Sequence, residues 1–103
     1  MDGFTLIADP NRRRILDRLR VEPCDVGALI ATLGLPQPLV SKHLRVLRDA
    51  RAVTATVEGR RRVYRLAVDP MPDVLAWVLP YHQIWVASLN RLAEVLADEE
   101  ESS

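Results

Sequence analysis

The sequence predicts a mainly α chain with a small β-hairpin, and three observations carry that expectation. Two short stretches with apolar residues at helical spacing, Val26 to Leu33 and Gln37 to Leu47, are separated only by Gly34-Leu35-Pro36. Residues 52–66 then alternate apolar and polar about a glycine, with arginines at the tip. The last third carries an amphipathic stripe with more aromatic and aliphatic surface than a chain of 103 residues can cover alone. Together they predict a winged helix-turn-helix followed by a C-terminal dimerisation helix.

The elements follow in order. Phe4 to Ala8 forms a brief opening turn. Asp9-Pro10 then supplies an N-cap and a proline at the first helical position, where a missing N–H is no loss. A helix follows from about Pro10 to Arg20, with Ile15, Leu16 and Leu19 at core spacing, and Pro23 stops it. Asp25 caps the next helix, whose stripe of Val26, Leu29, Ile30 and Leu33 ends at Gly34, a residue free to take positive φ. In the stretch QPLVSKHLRVL, Val40, Leu44 and Leu47 fall at i, i+4 and i+7 and form a buried face. Val53, Ala55 and Val57 alternate with Thr54 and Thr56, Glu58-Gly59 makes the turn, and Arg61 to Leu66 returns with Val63, Tyr64 and Leu66. After Asp69-Pro70-Met71-Pro72, residues 73–79 form a short helix, and Pro80 either kinks it or opens a longer one to Asp98.

Length predicts one domain over residues 1–103: a core over 4–68 with its wing at about 52–66, C-terminal helices over 73–98, and an acidic tail over 99–103 that frays into solvent. No run of about 18 apolar residues is present and no leader-like start, so a cytoplasmic protein away from membranes is expected. One cysteine, Cys24, excludes an internal disulfide and a Cys-Cys zinc pair. The net charge of zero hides a polarity. Residues 1–65 hold thirteen Lys/Arg against seven Asp/Glu, whereas residues 66–103 hold Arg91 against seven acids. Such a chain suits a basic face for nucleic acid and an acidic end kept in water.

On the helix of Gln37 to Leu47, the side chains of Gln37, Ser41, Lys42, Arg45 and Arg48 lie largely opposite the apolar stripe. Gln and Ser offer short groups to base edges, while Lys and Arg bond guanine edges or neutralise phosphates. A lone helix of this kind is an ordinary solvated face. Followed directly by the tip Gly59-Arg60-Arg61-Arg62, it becomes a major-groove helix with an arginine-bearing wing for double-stranded DNA. The alternative of another class is a winged-helix protein–protein interaction module without sequence-specific DNA binding.

The segments FTLIADPNRRRIL, SKHLRVLRDARAV and GRRRVYRL together resemble the ArsR-type winged helix-turn-helix repressors over nearly the whole chain. The resemblance implies a homodimeric, operator-binding regulator relieved by a signal, with Gln37, Ser41, Lys42 and Arg45 on the recognition helix and Arg60, Arg61 and Arg62 on the wing. This sequence departs from that pattern in two places. Metal-sensing members carry Cys-x-Cys-Asp in the helix before the turn, where this chain has Asp25 and Gly27 with Cys24 just outside. One thiolate cannot close a soft-metal site within a subunit, and His82 lies about three turns from Glu94, so neither a metal nor a cofactor is expected. The other departure is Arg51, where the pattern has glycine; a left-handed backbone there costs about 1 kcal/mol.

The C-terminal stripe of Tyr81, Trp85, Leu89, Leu92 and Leu96, with Trp77 nearby, is most economically a dimer interface, for which Trp77, Tyr81, Trp85, Leu89 and Leu92 are the expected residues. Packing onto the first helix and a ligand pocket between Trp77, Tyr81 and Trp85 are the other readings. They leave room for a small-molecule effector, as Cys24 does for a redox one. No enzyme is expected, since Ser41 and His43 stand two apart on a helix and do not face each other.

Overall fold

The computed structural model describes residues 1–102, which fall into two compact units, Met1–Asp73 and the stretch from Val74 onward. The first unit opens with α1 (Gly3–Ala8) and α2 (Pro10–Val21), then β1 (Cys24–Asp25), α3 (Val26–Leu33), α4 (Gln37–Asp49), β2 (Val53–Glu58) and β3 (Arg61–Leu66). α5 runs from Pro72 to Ser102 and makes up the second unit beyond its first two residues. The strands form one antiparallel sheet in the order β1-β3-β2.

Short side chains start three of these helices, at Asp9 and Asp25 as the sequence predicts and at Asp2 where only a brief opening turn was expected. Asp2 accepts from the Thr5 N–H, Asp9 from those of Asn11 and Arg12, and Asp25 from that of Ala28. Those backbone donors are the first cause holding all three carboxyls below their ordinary range; at Asp25 a bond from Arg61 adds to it. A lowered native pKa contributes stability above the unfolded value, and that contribution is lost as pH falls through the native one. The denaturant midpoint should therefore hold near neutrality and drop below about pH 4. Asp25→Asn should flatten part of that drop; a variant with the full wild-type acid dependence would remove Asp25 from the explanation.

The core of the first unit gathers the predicted stripes: Ile15, Leu16 and Leu19 of α2, Leu29 of α3, and Val40, Leu44 and Leu47 of α4 are all buried. Val53 and Tyr64 close it from the sheet. His43 is only 5% exposed, with Nε2 3.9 Å from an Asp9 carboxylate oxygen.

α4 ends in a Schellman motif built around the wrong residue. Ala52 N–H donates to Leu47 C=O and Arg51 N–H to Arg48 C=O, with Arg51 at φ 64 where glycine is usual. The αL penalty for an L-residue exceeds the chain entropy that glycine adds to the unfolded state. Arg51→Gly should therefore raise the unfolding free energy by about 0.5–1 kcal/mol, read as a higher urea midpoint. A lower midpoint would show that the Arg51 side chain contributes more than its backbone costs.

Three elements differ from expectation. The hairpin pairs Glu58 with Arg61, so its turn is Gly59-Arg60, one residue later than predicted, with Gly59 at φ 66 as a type II′ turn requires. β1 was not foreseen; it pairs Cys24 with Tyr64 and Asp25 with Val63, tying the start of α3 to the wing. α5 passes through Pro80 as one helix instead of breaking there. An internal proline costs about 3 kcal/mol, but apolar periodicity runs uninterrupted on both sides, and the Trp77 and Tyr81 rings span the proline with centroids 5.0 Å apart. Glu99, Glu100 and Glu101, expected to fray, continue the helix, in keeping with the high helix propensity of Ala and Glu; Ser103 lies outside the described residues.

Candidate nucleic-acid interface

The basic residues of the first unit divide by what they touch. Arg12 donates to the carbonyls of Leu6 (2.6 Å) and Thr5, Arg13 to those of Ile7 and Ala8, and Arg14 to that of Leu33 (2.7 Å). The run Arg12-Arg13-Arg14 thus serves the carbonyl ends of α1 and α3, which have no partner inside their own helices. Arg18 pairs with Glu22, Arg65 with Glu58 and Thr56, and Arg61 with Asp25 at 2.7 Å. Among the described residues Arg62 has no such acceptor; its guanidinium carbon lies 5.7 Å from the centre of the Tyr64 ring.

Among the described residues no hydrogen-bond or ion-pair partner engages Lys42, Arg45, Arg48, Arg51 or Arg60. These residues, with Arg62, lie on α4, at its end, and on the hairpin; of the first unit's unengaged lysines and arginines only Arg20 lies elsewhere. An unpaired guanidinium in water is stable, but one whose neighbours are other unpaired cations marks a surface whose counter-charge is external. α4 presents that surface because its other side is committed to the core through Val40, His43, Leu44 and Leu47.

The sequence-predicted residues therefore part company. Gln37, Ser41, Lys42 and Arg45 are exposed along α4. Ser41 and Arg45 meet Arg62 of β3 around one cleft, Arg60 stands at the hairpin tip, and Arg61 is held by the carboxylate that also caps α3. Sequence reasoning placed Arg48 on the polar face without naming it to the site, yet it lines the same cleft with Tyr64. Its spacing from Ser41 and Arg45, at i+7 and i+3, is the signal that could have included it.

In α5, Trp77, Tyr81, Trp85, Leu89 and Leu92 are each between 46% and 64% exposed, together with Ile84, Val95 and Leu96. On a helical wheel these apolar positions fall within one arc of about 140°, a continuous face along the helix. Cys24 is buried and its thiol donates to the Glu22 carbonyl; burial pushes the thiol up, away from the reactive thiolate. Among the described residues no group of three or more His, Cys, Asp or Glu is placed to hold a metal ion, and no helix is long and apolar enough to cross a membrane.

Residues 9–55 match the family model described as "Bacterial regulatory protein, arsR family". The HTH-type transcriptional regulator Rv2034 of Mycobacterium tuberculosis is 36% identical over 97 residues, covering 94% of this chain and 88% of that protein. The transcriptional repressor SdpR of Bacillus subtilis is 30% identical over 78 residues, covering 76% of this chain and 87% of the repressor. Among solved structures, the homodimeric winged helix-turn-helix DNA-binding domain of Mb0332 from Mycobacterium bovis superposes with a TM-score of 0.63 at 27% identity, covering 80% of this chain and 76% of that one.

Proposed function

Since the chain belongs to the arsR family of bacterial regulatory proteins, we propose that this transcriptional regulator is a homodimeric repressor whose α4 reads an operator in the major groove. Arg60 and Arg62 hold the flanking phosphates or enter the minor groove, and Arg61 keeps the wing registered to α3 through Asp25. The observation that supports this best is the segregation of cations. Arg12, Arg13 and Arg14 are absorbed by the carbonyl ends of α1 and α3, and nearly all the lysines and arginines that remain unengaged in the first unit lie between Lys42 and Arg62. The repressor SdpR supports repression, and the homodimeric Mb0332 domain supports a dimer, here through the exposed apolar face of α5.

A gel shift on the DNA upstream of the protein's own gene tests the proposal, with random duplex as control. Gln37→Ala and Ser41→Ala should each weaken the preferred operator by about 1–3 kcal/mol and leave random DNA nearly unchanged, because base-edge contacts carry the specificity. Equal losses on both DNAs would remove those residues from base readout. Failure to shift any duplex would favour the protein–protein module instead.

Of the two effector routes, the apolar one has more support than oxidation. Cys24 is buried within β1 with its thiol bonded and its acidity reduced, whereas Trp77, Tyr81 and Trp85 offer exposed ring surface.

A further inference from the structure

We propose that the cleft between α4 and β3 seats one backbone phosphate of bound DNA, gripped from the recognition helix and the wing at once. The proposal rests on the DNA-binding function above and assigns it a specific subsite. Ser41, Arg45 and Arg48 line the cleft from α4, and Arg62 and Tyr64 from β3, around a volume of about 210 Å³. No carboxylate is among those lining residues.

The chemistry of the lining selects the ligand. Arg12, Arg13 and Arg14 have backbone carbonyls, and Arg18, Arg61 and Arg65 have carboxylates; among the described residues the three guanidinium groups gathered here have neither. Three like charges converging on one small volume repel, and a single anion between them turns that repulsion into charge-assisted hydrogen bonds. The Arg62 guanidinium lies over the Tyr64 ring at 5.7 Å, a cation–π contact that uses none of its N–H groups and leaves them to donate. Ser41, exposed on α4 in the same lining, carries a hydroxyl that can donate as well. A planar base edge is read from one direction, whereas a tetrahedral phosphate accepts bonds from both walls of a cleft. A phosphate held this way fixes the helix and the wing to the same point on the backbone, and so sets the register in which Gln37 meets the bases.

The test uses the full chain and a duplex selected by the wild-type protein from a random pool, remade as a series in which one phosphate at a time is replaced by a neutral methylphosphonate. One position in each half-site should cost the wild-type protein about tenfold in affinity and cost Arg48→Ala nothing further, while Lys42→Ala still pays the full loss there. In parallel, inorganic phosphate should compete with the duplex more than chloride at equal ionic strength, and that difference should vanish in Arg48→Ala. A coupled position establishes the subsite whether or not free phosphate competes. Phosphate competition without any coupled position would overturn the assignment to DNA and give the cleft to a free phosphorylated ligand. Neither effect, with the duplex still bound, would overturn the cleft as a site at all. A wild-type protein that selects no duplex would instead bring down the DNA-binding function on which the proposal stands.

Discussion

Trp85→Glu is expected to convert the dimer into a folded monomer and to lower operator affinity by about 10²–10⁴-fold, without touching a residue proposed to contact DNA. Trp85 is 59% exposed in a single chain and lies in the middle of the apolar arc of α5, flanked by Tyr81, Leu89 and Leu92 at one-turn and two-turn spacing. A stripe with that much aromatic surface stays in water only if no partner is available, and its burial contributes about 25 cal/mol per Å². A carboxylate placed at its centre meets few cations, because the unit beyond Val74 holds one arginine, Arg91, no lysine, and one histidine, His82. An unpaired buried carboxylate costs several kcal/mol, enough to undo the association. The core of Met1–Asp73, with Ile15, Leu29, Val40 and Leu47 fully buried, does not depend on that side chain, so the monomer should keep a cooperative unfolding transition. The loss in affinity arises because each head must then pay separately for binding a half-site, where the dimer binds the second at high effective concentration. Light scattering that shows an intact dimer of Trp85→Glu would place the interface elsewhere.

What the sequence made legible follows from how local each cause is. Asp9-Pro10, Asp25 and Gly34 declare helix ends through interactions within a few residues, and all three stand where they were expected. The stripe of Val40, Leu44 and Leu47 likewise depends only on helical periodicity. β1 escaped notice because its two residues carry no pattern of their own; they become a strand only because Val63 and Tyr64, some forty residues away, come alongside. The arginines were legible as charge but not as roles. Arg14 and Arg45 are the same residue type on neighbouring helices, and what separates them is that the Leu33 carbonyl lies within 2.7 Å of one. Pro80 shows the converse, a strong local signal overridden. The proline argues for a break, and the apolar period carried from Trp77 through Tyr81 and Trp85 argues for a single helix, which the chain adopts. The cleft between α4 and β3 could not be read at all, since it depends on how far apart a helix and a strand stand.

Because roles divide in this way, operator binding should be sharply salt dependent, and the dependence should respond to some arginines and not to others. Each protomer offers Lys42, Arg45, Arg48, Arg60 and Arg62, none with an acceptor among the described residues, and a dimer doubles the set. If about 6–10 of these displace condensed counterions, affinity should fall by about 10³–10⁵ between 50 and 200 mM salt, with a log–log slope near −0.9 per phosphate contact. Arg60→Ala removes one such contact from each protomer, so the slope should become shallower by about 2 while the fold is unaffected. Arg14→Ala deletes an equal charge, but that charge is spent on the Leu33 carbonyl at the end of α3. Its cost should appear as a lower denaturant midpoint, with the salt slope unchanged. Isothermal titrations at four salt concentrations on the two variants separate the cases. A flat wild-type affinity would sink the electrostatic account of binding. An Arg14→Ala slope as shallow as that of Arg60→Ala would show that the helix-capping arginines reach the DNA as well, and that the division between capping and binding cations does not hold.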